Sequence, residues 1–370
     1  MQDTNRQFSV PKGMYLLSHS VGCLPVLTRS SVAQSYFEPW QQHGGDAWPQ
    51  WLNIIEQFCH ELADLFNTSA DDICPQSSVS NGLSQYLQAL PLKTARTVLM
   101  HASAFPSLGF AVQGLAAYGF NLKLIDKDID PNDLDAWQAL LTDDVAVAVI
   151  THVHSNSGVL SDVAGIAQLC RAKNVCCVVD VAQSAGLIPI DLQSWQVDLV
   201  LGSCVKWLCG GPGAGFMWVN PGHVNELTPK NIGWFSHESP FEFDIEHFSY
   251  AKSAKRFWGG TPSILPYASA LVGIQQINNI GVPKIYAHSK ALQRIVLDHA
   301  AEYLLNPIGL AYSGGTLCLH LAKPRLEALV SGLTQANAYF DQRRDGIRLS
   351  WHIYNTEQEA LQVAEIFRCL

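Results

Sequence analysis

"VDLVLGSCVKWLCGGPGAGFMWV", residues 197 to 219, reads as two apolar strands around a loop whose one charged residue is Lys206. Burying an ammonium without a partner is costly. Lys206 therefore either reaches solvent or serves as an amine that gives up its proton readily. Just upstream, "VCCVVDVAQSAG" (175–186) is another such strand and carries Asp180 near its end. Further strands read as "RTVLMHA" (96–102), "NLKLID" (121–126) and "VAVAVITHV" (145–153). Between them lie helical segments: "SLGFAVQGLAAYG" (107–119), "DPNDLDAWQALL" (130–141, with Asp130 as N-cap) and "SDVAGIAQLCRAKN" (161–174). Continuous β-branched runs, rather than alternating ones, mark strands buried on both faces, so the expected class is α/β with a mostly parallel sheet between helical layers.

Upstream, "WPQWLNIIEQFCHELADLF" (48–66) has the 3.6-residue apolar period of an amphipathic helix. After about residue 262 come two long helices (262–281 and 283–305), short strands "TLCLHLA" and "GIRLSWHI", and a last helix from Glu357. This is the pattern of a smaller α+β C-terminal domain. The expected division is a large domain over 15–255 and a small one over 256–370, with residues 1–14 packing on the latter. A chain of 370 residues, 48% of them hydrophobic, fits two such bodies.

A formal charge of -9 with 15% charged residues argues against nucleic acid or an anionic membrane as partner. No apolar run is long enough to cross a bilayer, and the N-terminus lacks a basic start followed by an apolar stretch. The ten cysteines show no CxxC spacing, which implies neither a disulfide framework nor a zinc site and fits a reducing cytoplasm.

Ligands of doubly wound sheets bind beyond the carboxyl ends of the strands, where Asp180, Ser203 and Lys206 all fall. Singly, Asp180 reads equally well as a cap on "VAQSAG" and Lys206 as a solvated loop lysine. Together they fit one chemistry. A lysine amine condenses with the aldehyde of pyridoxal phosphate (PLP), while a carboxylate keeps the pyridine nitrogen protonated so that the ring draws electrons.

The stretches "VVDVAQSAGLIPIDL" and "VDLVLGSCVKWLCGGPGAGFMWV" resemble the class V aminotransferases, the superfamily of cysteine desulfurases and kynureninase. "GWFSHESPFEFD", "RFWGGTPSILPYASAL" and "FDQRRDGIRLSWHIYNTEQEA" are similar to the kynureninase-like branch. The resemblance implies a fold-type I enzyme with a seven-stranded large-domain sheet, working as a homodimer on a small amino acid. It implies that Lys206 links to PLP and shuttles the Cα proton, that Asp180 binds the pyridine nitrogen, and that Gln183 binds the ring hydroxyl. Ser203 would reach the phosphate, with Val79 and Ser80 opposite at a helix start, where free amides attract anions. Ser80 also reads as an ordinary N-cap. Phe105 matches the aromatic that stacks on the ring, and otherwise is a core phenylalanine. His154 matches a ring-proximal polar position, or else is a structural histidine. Trp234 and the pair Gly260–Thr261 match phosphate contacts, the pair reaching in from a second subunit. Arg348 matches the clamp on the substrate carboxylate, a task suited to its two-pronged donor geometry; Arg343 and Arg344 read as surface charges.

The departures bear on the reaction. Kynureninases place tyrosine before the lysine, histidine three residues after the aspartate, and aspartate three residues after the stacking phenylalanine; here stand Val205, Gln183 and Leu108. Desulfurases need a nucleophilic loop cysteine, whereas Cys318 in "GTLCLHL" reads as packed, and nothing marks Cys204 or Cys209 as activated. The leading expectation is an aminotransferase. The alternatives are a kynureninase-like hydrolase or another C–C or C–S lyase, and, of another class, a PLP-binding protein without turnover.

Overall fold

The computed structural model describes residues 7–91, 95–306, 313–343 and 346–370. Arg344 and the first six residues of the N-terminal segment lie outside them. The central sheet has seven strands: β1 (Ile73–Gln76), β2 (Thr97–His101), β3 (Asn121–Ile125), β4 (Val145–Thr151), β5 (Cys176–Asp180), β6 (Leu199–Ser203) and β7 (Gly215–Val219). Their spatial order is β1-β7-β6-β5-β4-β2-β3. Only β7 runs against the rest, pairing antiparallel with both β6 and β1.

Both faces of the sheet are dry over its central strands, while edge strand β3 leaves Leu124 49% exposed. Leu99, Ala148, Cys177, Val179 and Val200 point into one core with Phe58 and Leu62 of α1 (Trp48–Phe66). Their neighbours Val98, Val147, Val149, Val178 and Leu201 point into the other, with Leu83 and Tyr86 of α2 (Val79–Ala89) and Val112 of α3 (Pro106–Gly114). This two-sided burial explains why the strands lack alternation.

Three local readings are corrected. Helix α4 covers Leu134–Leu140 and is capped by Asp133, whose carboxylate accepts from Ala136 N–H at 3.0 Å, whereas Asp130 instead closes a turn onto Asn132 N–H. "VAQSAG" folds as successive turns, not a helix; Asp180 Oδ1 accepts from Ala182 N–H, two residues on. Strand β1 was not foreseen: "ICPQ" is four residues long and contains proline, tolerated because β1 lies at the sheet edge.

After α5 (Val163–Ala172), helix α6 (Leu265–Ile280) lies along α1, and Tyr267, Ala270, Leu271 and Ile274 join the large core. Helices α7 (Val282–Ala300), α8 (Lys323–Gln335) and α9 (Glu357–Arg368) then cover a three-stranded antiparallel sheet of β8 (Thr316–His320), β9 (Asp341–Arg343) and β10 (Gly346–Ser350), in the order β8-β10-β9. This smaller C-terminal domain has its own core, which Met14 and Leu16 join from the N-terminal segment. Among the described residues, no helix is long and apolar enough to cross a membrane.

Candidate active site

Strands β5 and β6 deliver Asp180 and Ser203 to the carboxyl edge of the sheet, and the turn after β6 delivers Lys206. The lysine loop is tightly held. Gly22 N–H donates to Val205 O at 2.9 Å, and Cys209 N–H donates to Lys206 O at 3.0 Å. The Lys206 side chain keeps some exposed area, yet burial still drives its pKa below the usual lysine value; Asp180 opposes that shift and Arg348 adds to it. The Asp180 carboxyl is pushed up by burial, against the Ala182 N–H and the Lys206 charge. Each member of this pair is thus biased toward neutrality by desolvation and toward charge by the other.

Phe105, at the start of α3, is 49% exposed, and its ring centroid stands 5.6 Å from Lys206 Nζ. An exposed aromatic ring thus stands beside the partly buried amine. Across the sheet edge, Ser78 caps α2 by accepting from Asn81 N–H at 3.1 Å, with Ser80 Oγ 3.2 Å from Ser78 Oγ. A Cβ on Gly215, which pairs with Ser203, would come within 3.4 Å of Ser78 Cα. The N-terminus of α2 with Val79 and Ser80 and the end of β6 therefore converge, and free amides at such a terminus hold phosphate. Amine, buried carboxylate, exposed aromatic ring and phosphate cradle together form a donor set that fits PLP.

Gln183 is less available than the sequence suggests. Its Nε2 donates to His19 O at 3.1 Å and its Oε1 accepts from Trp207 Nε1 at 3.3 Å, leaving one N–H and one Oε1 lone pair. His154 is buried, with Nδ1 2.8 Å from Ser103 Oγ, and burial lowers its pKa to about 4, with His101 adding to the shift. Gly233 packs against Gly260, Trp234 stacks on Phe243 with ring centroids 5.9 Å apart, and Gly260 and Thr261 face solvent.

On the small-domain side, Arg348 on β10 is 7% exposed and close enough to Lys206 to disfavour its charge. Its Nε donates to Asp341 Oδ2 at 2.5 Å and its Nη1 to Ser155 O at 2.9 Å. Nη2 has no hydrogen-bond partner among the described residues. Two members of this cluster escaped sequence reasoning. Asp341 is held well below the usual carboxylate range by the His19 ring and the guanidinium groups of Arg348 and Arg343. His19 puts Nδ1 2.8 Å from Ser350 Oγ and Nε2 3.9 Å from Asp341 Oδ2, and burial lowers its pKa to about 4. Asp341 lies opposite Arg348 only through the β9–β10 register, and a lone histidine in "LLSHSVG" carries no spacing signal.

The cysteines near the site are packed. Cys318 is buried beside Arg348 with its thiol pushed up to about 12, and burial raises Cys204 and Cys209 as well. Leu108 is buried in the core.

The family described as Aminotransferase class-V matches residues 41–304. A Bacillus subtilis protein called an uncharacterized aminotransferase, YcbU, is 28% identical over 333 residues, covering 89% of this chain and 87% of its own. A kynureninase of Burkholderia mallei is 30% identical over 300 residues, covering 77% of this chain and 70% of its own. Among solved structures, a C-DES mutant with glycine covalently linked to its PLP cofactor superposes with a TM-score of 0.87 at 22% identity, covering 98% of each chain. The chain belongs to the class V aminotransferases, a family of PLP-dependent enzymes.

Proposed function

We propose that this enzyme is an aminotransferase for a small amino acid with a free α-carboxylate. Bound PLP supplies the electron sink that takes up the pair released when a bond to the substrate α-carbon breaks. In this reading Lys206 carries the cofactor and moves the α-proton, its lowered pKa making the neutral amine accessible. Asp180 holds the proton on the pyridine nitrogen. Val79, Ser80 and Ser203 take the phosphate, Phe105 lies along the ring, and Gln183 and His154 face its polar edge. Arg348 receives the substrate carboxylate, steadied by Asp341 and Ser155 O.

One observation favours transamination over desulfuration or hydrolysis: the positions that would hold a thiol nucleophile or a water-activating group are occupied by buried, raised-pKa thiols and by apolar Leu108 and Val205. A proton-moving lysine is then the group best suited to act on the α-carbon. The test is an amino acid panel with 2-oxo acid acceptors and identification of both products. Acceptor-dependent formation of a 2-oxo acid with the donor's carbon skeleton supports transamination. Alanine, pyruvate or sulfide released without acceptor supports the hydrolase or lyase reading instead.

We also propose a cytoplasmic homodimer, supported by ten free cysteines and by exposed Phe241, Phe243, Ile245 and Phe248 beside Trp234. In it Gly260 and Thr261 of one subunit would complete the phosphate site of the other. As to domains, the packing of α6 on α1 supports moving the division from 256 to Gly281.

A further inference from the structure

We infer that Ser103 and His101 fix the tautomer of His154, so that His154 carries its proton on Nδ1 and keeps Nε2 unprotonated as a hydrogen-bond acceptor. His101, at the end of β2, places Nε2 2.9 Å from Ile129 O. A carbonyl only accepts, so His101 Nε2 bears the hydrogen, and its Nδ1 is the lone-pair side of a neutral ring. That Nδ1 accepts from Ser103 N–H at 3.1 Å and lies 2.6 Å from Ser103 Oγ, which places the hydroxyl proton between Oγ and Nδ1. Ser103 Oγ then has only lone pairs left for His154 Nδ1, 2.8 Å away, so that nitrogen must donate.

Burial and the neighbouring ring support the neutral state that this chain of donors requires. Both histidines are shifted down, and the two rings meet edge to face with centroids 5.4 Å apart. The remaining nitrogen, His154 Nε2, has no hydrogen-bond partner among the described residues. The relay also abuts the site. Ser103 precedes Phe105 by two residues, and Ser155, next to His154, gives its carbonyl to Arg348. His154 thus supplies a neutral acceptor, matched to a protonated oxygen or nitrogen of cofactor or substrate. Ser103 and His101 act through it as positioning residues.

The inference rests on the reading that the cleft above Lys206 is the reaction site, but its test does not use turnover. Histidine-selective ¹⁵N and ¹³C labelling of the holoenzyme reports tautomers directly, and His154→Gln assigns the signal. The wild type should show His154 as the Nδ1–H form. Ser103→Ala should shift it toward Nε2–H, and Ser103→Thr, which keeps the hydroxyl, should restore Nδ1–H. An Nε2–H form in the wild type, or a tautomer unmoved by Ser103→Ala, overturns the proposal. Loss of cofactor attachment at Lys206 with the tautomers as expected would sink the functional reading alone.

Discussion

At the scale of single residues, the site works by setting charges against burial. Asp180 is raised by desolvation and restrained by the Ala182 N–H and the Lys206 charge. Asp180→Ala should fold and keep some PLP but lose roughly 3–4 kcal/mol of transition-state stabilisation, about 10²–10³-fold in turnover, as for other preorganised electrostatic groups. Near-normal turnover in that variant would reduce Asp180 to a turn-former. Arg348 offers a second test, because Asp341 already orients its guanidinium at 2.5 Å. Arg348→Ala should weaken amino acid binding by roughly 1.5–3 kcal/mol, a ten- to hundredfold effect, with PLP retained. Arg348→Lys should remain impaired, since an ammonium cannot bind Asp341, Ser155 O and a carboxylate in one plane. An unchanged titration of amino acids against the cofactor absorbance would remove Arg348 from the site. Lys206, Asp180 and Arg348 were legible because strand patterns and motif matches fix them in sequence. His19 and Asp341 were not, because only tertiary register and the path of the N-terminal segment bring them in.

At the scale of elements, β2, β4, β5 and β6 were legible as apolar runs, because burial on both faces erases alternation, whereas β3 at the sheet edge carries Lys123 and a half-exposed Leu124. What escaped was short or contingent: the four-residue edge strand β1, and a turn segment whose Asp180 caps a backbone N–H without starting a helix. The lysine turn itself depends on a distant element, since a Cβ on Gly22 would stand 2.1 Å from Lys206 O and 2.7 Å from Cys209 Sγ. Gly22→Ala must therefore push the N-terminal segment and the lysine turn apart, at a cost of about 1–3 kcal/mol typical of overpacking. Denaturant unfolding should show that loss, and PLP affinity should fall with it. Wild-type stability and affinity in this variant would mean that the N-terminal segment does not brace the lysine.

At the scale of the whole molecule, buried histidines make the fold sensitive to acid. Burial lowers His19, His154 and His352 to about 4 and His152 to about 3, from 6.5. Between about pH 6.5 and 4 the unfolded chain binds protons on these rings that the folded chain refuses. Stability must then fall as pH falls, by up to about 1.4 kcal/mol per pH unit for each ring. Asp180, raised rather than lowered, contributes with the opposite sign and offsets part of this. The urea midpoint should drop steadily from pH 7 to pH 5, and a flat midpoint over that interval would contradict the burial of these rings.

The central claim about this enzyme is that Lys206 is the amine that holds PLP. Borohydride reduction of the purified enzyme converts that link to a stable secondary amine, and proteolysis with mass spectrometry then locates it. The expected result is a pyridoxyl group on the peptide containing Lys206, absent in Lys206→Ala. A label on any other lysine, or an enzyme that binds no PLP, would contradict the account at its centre.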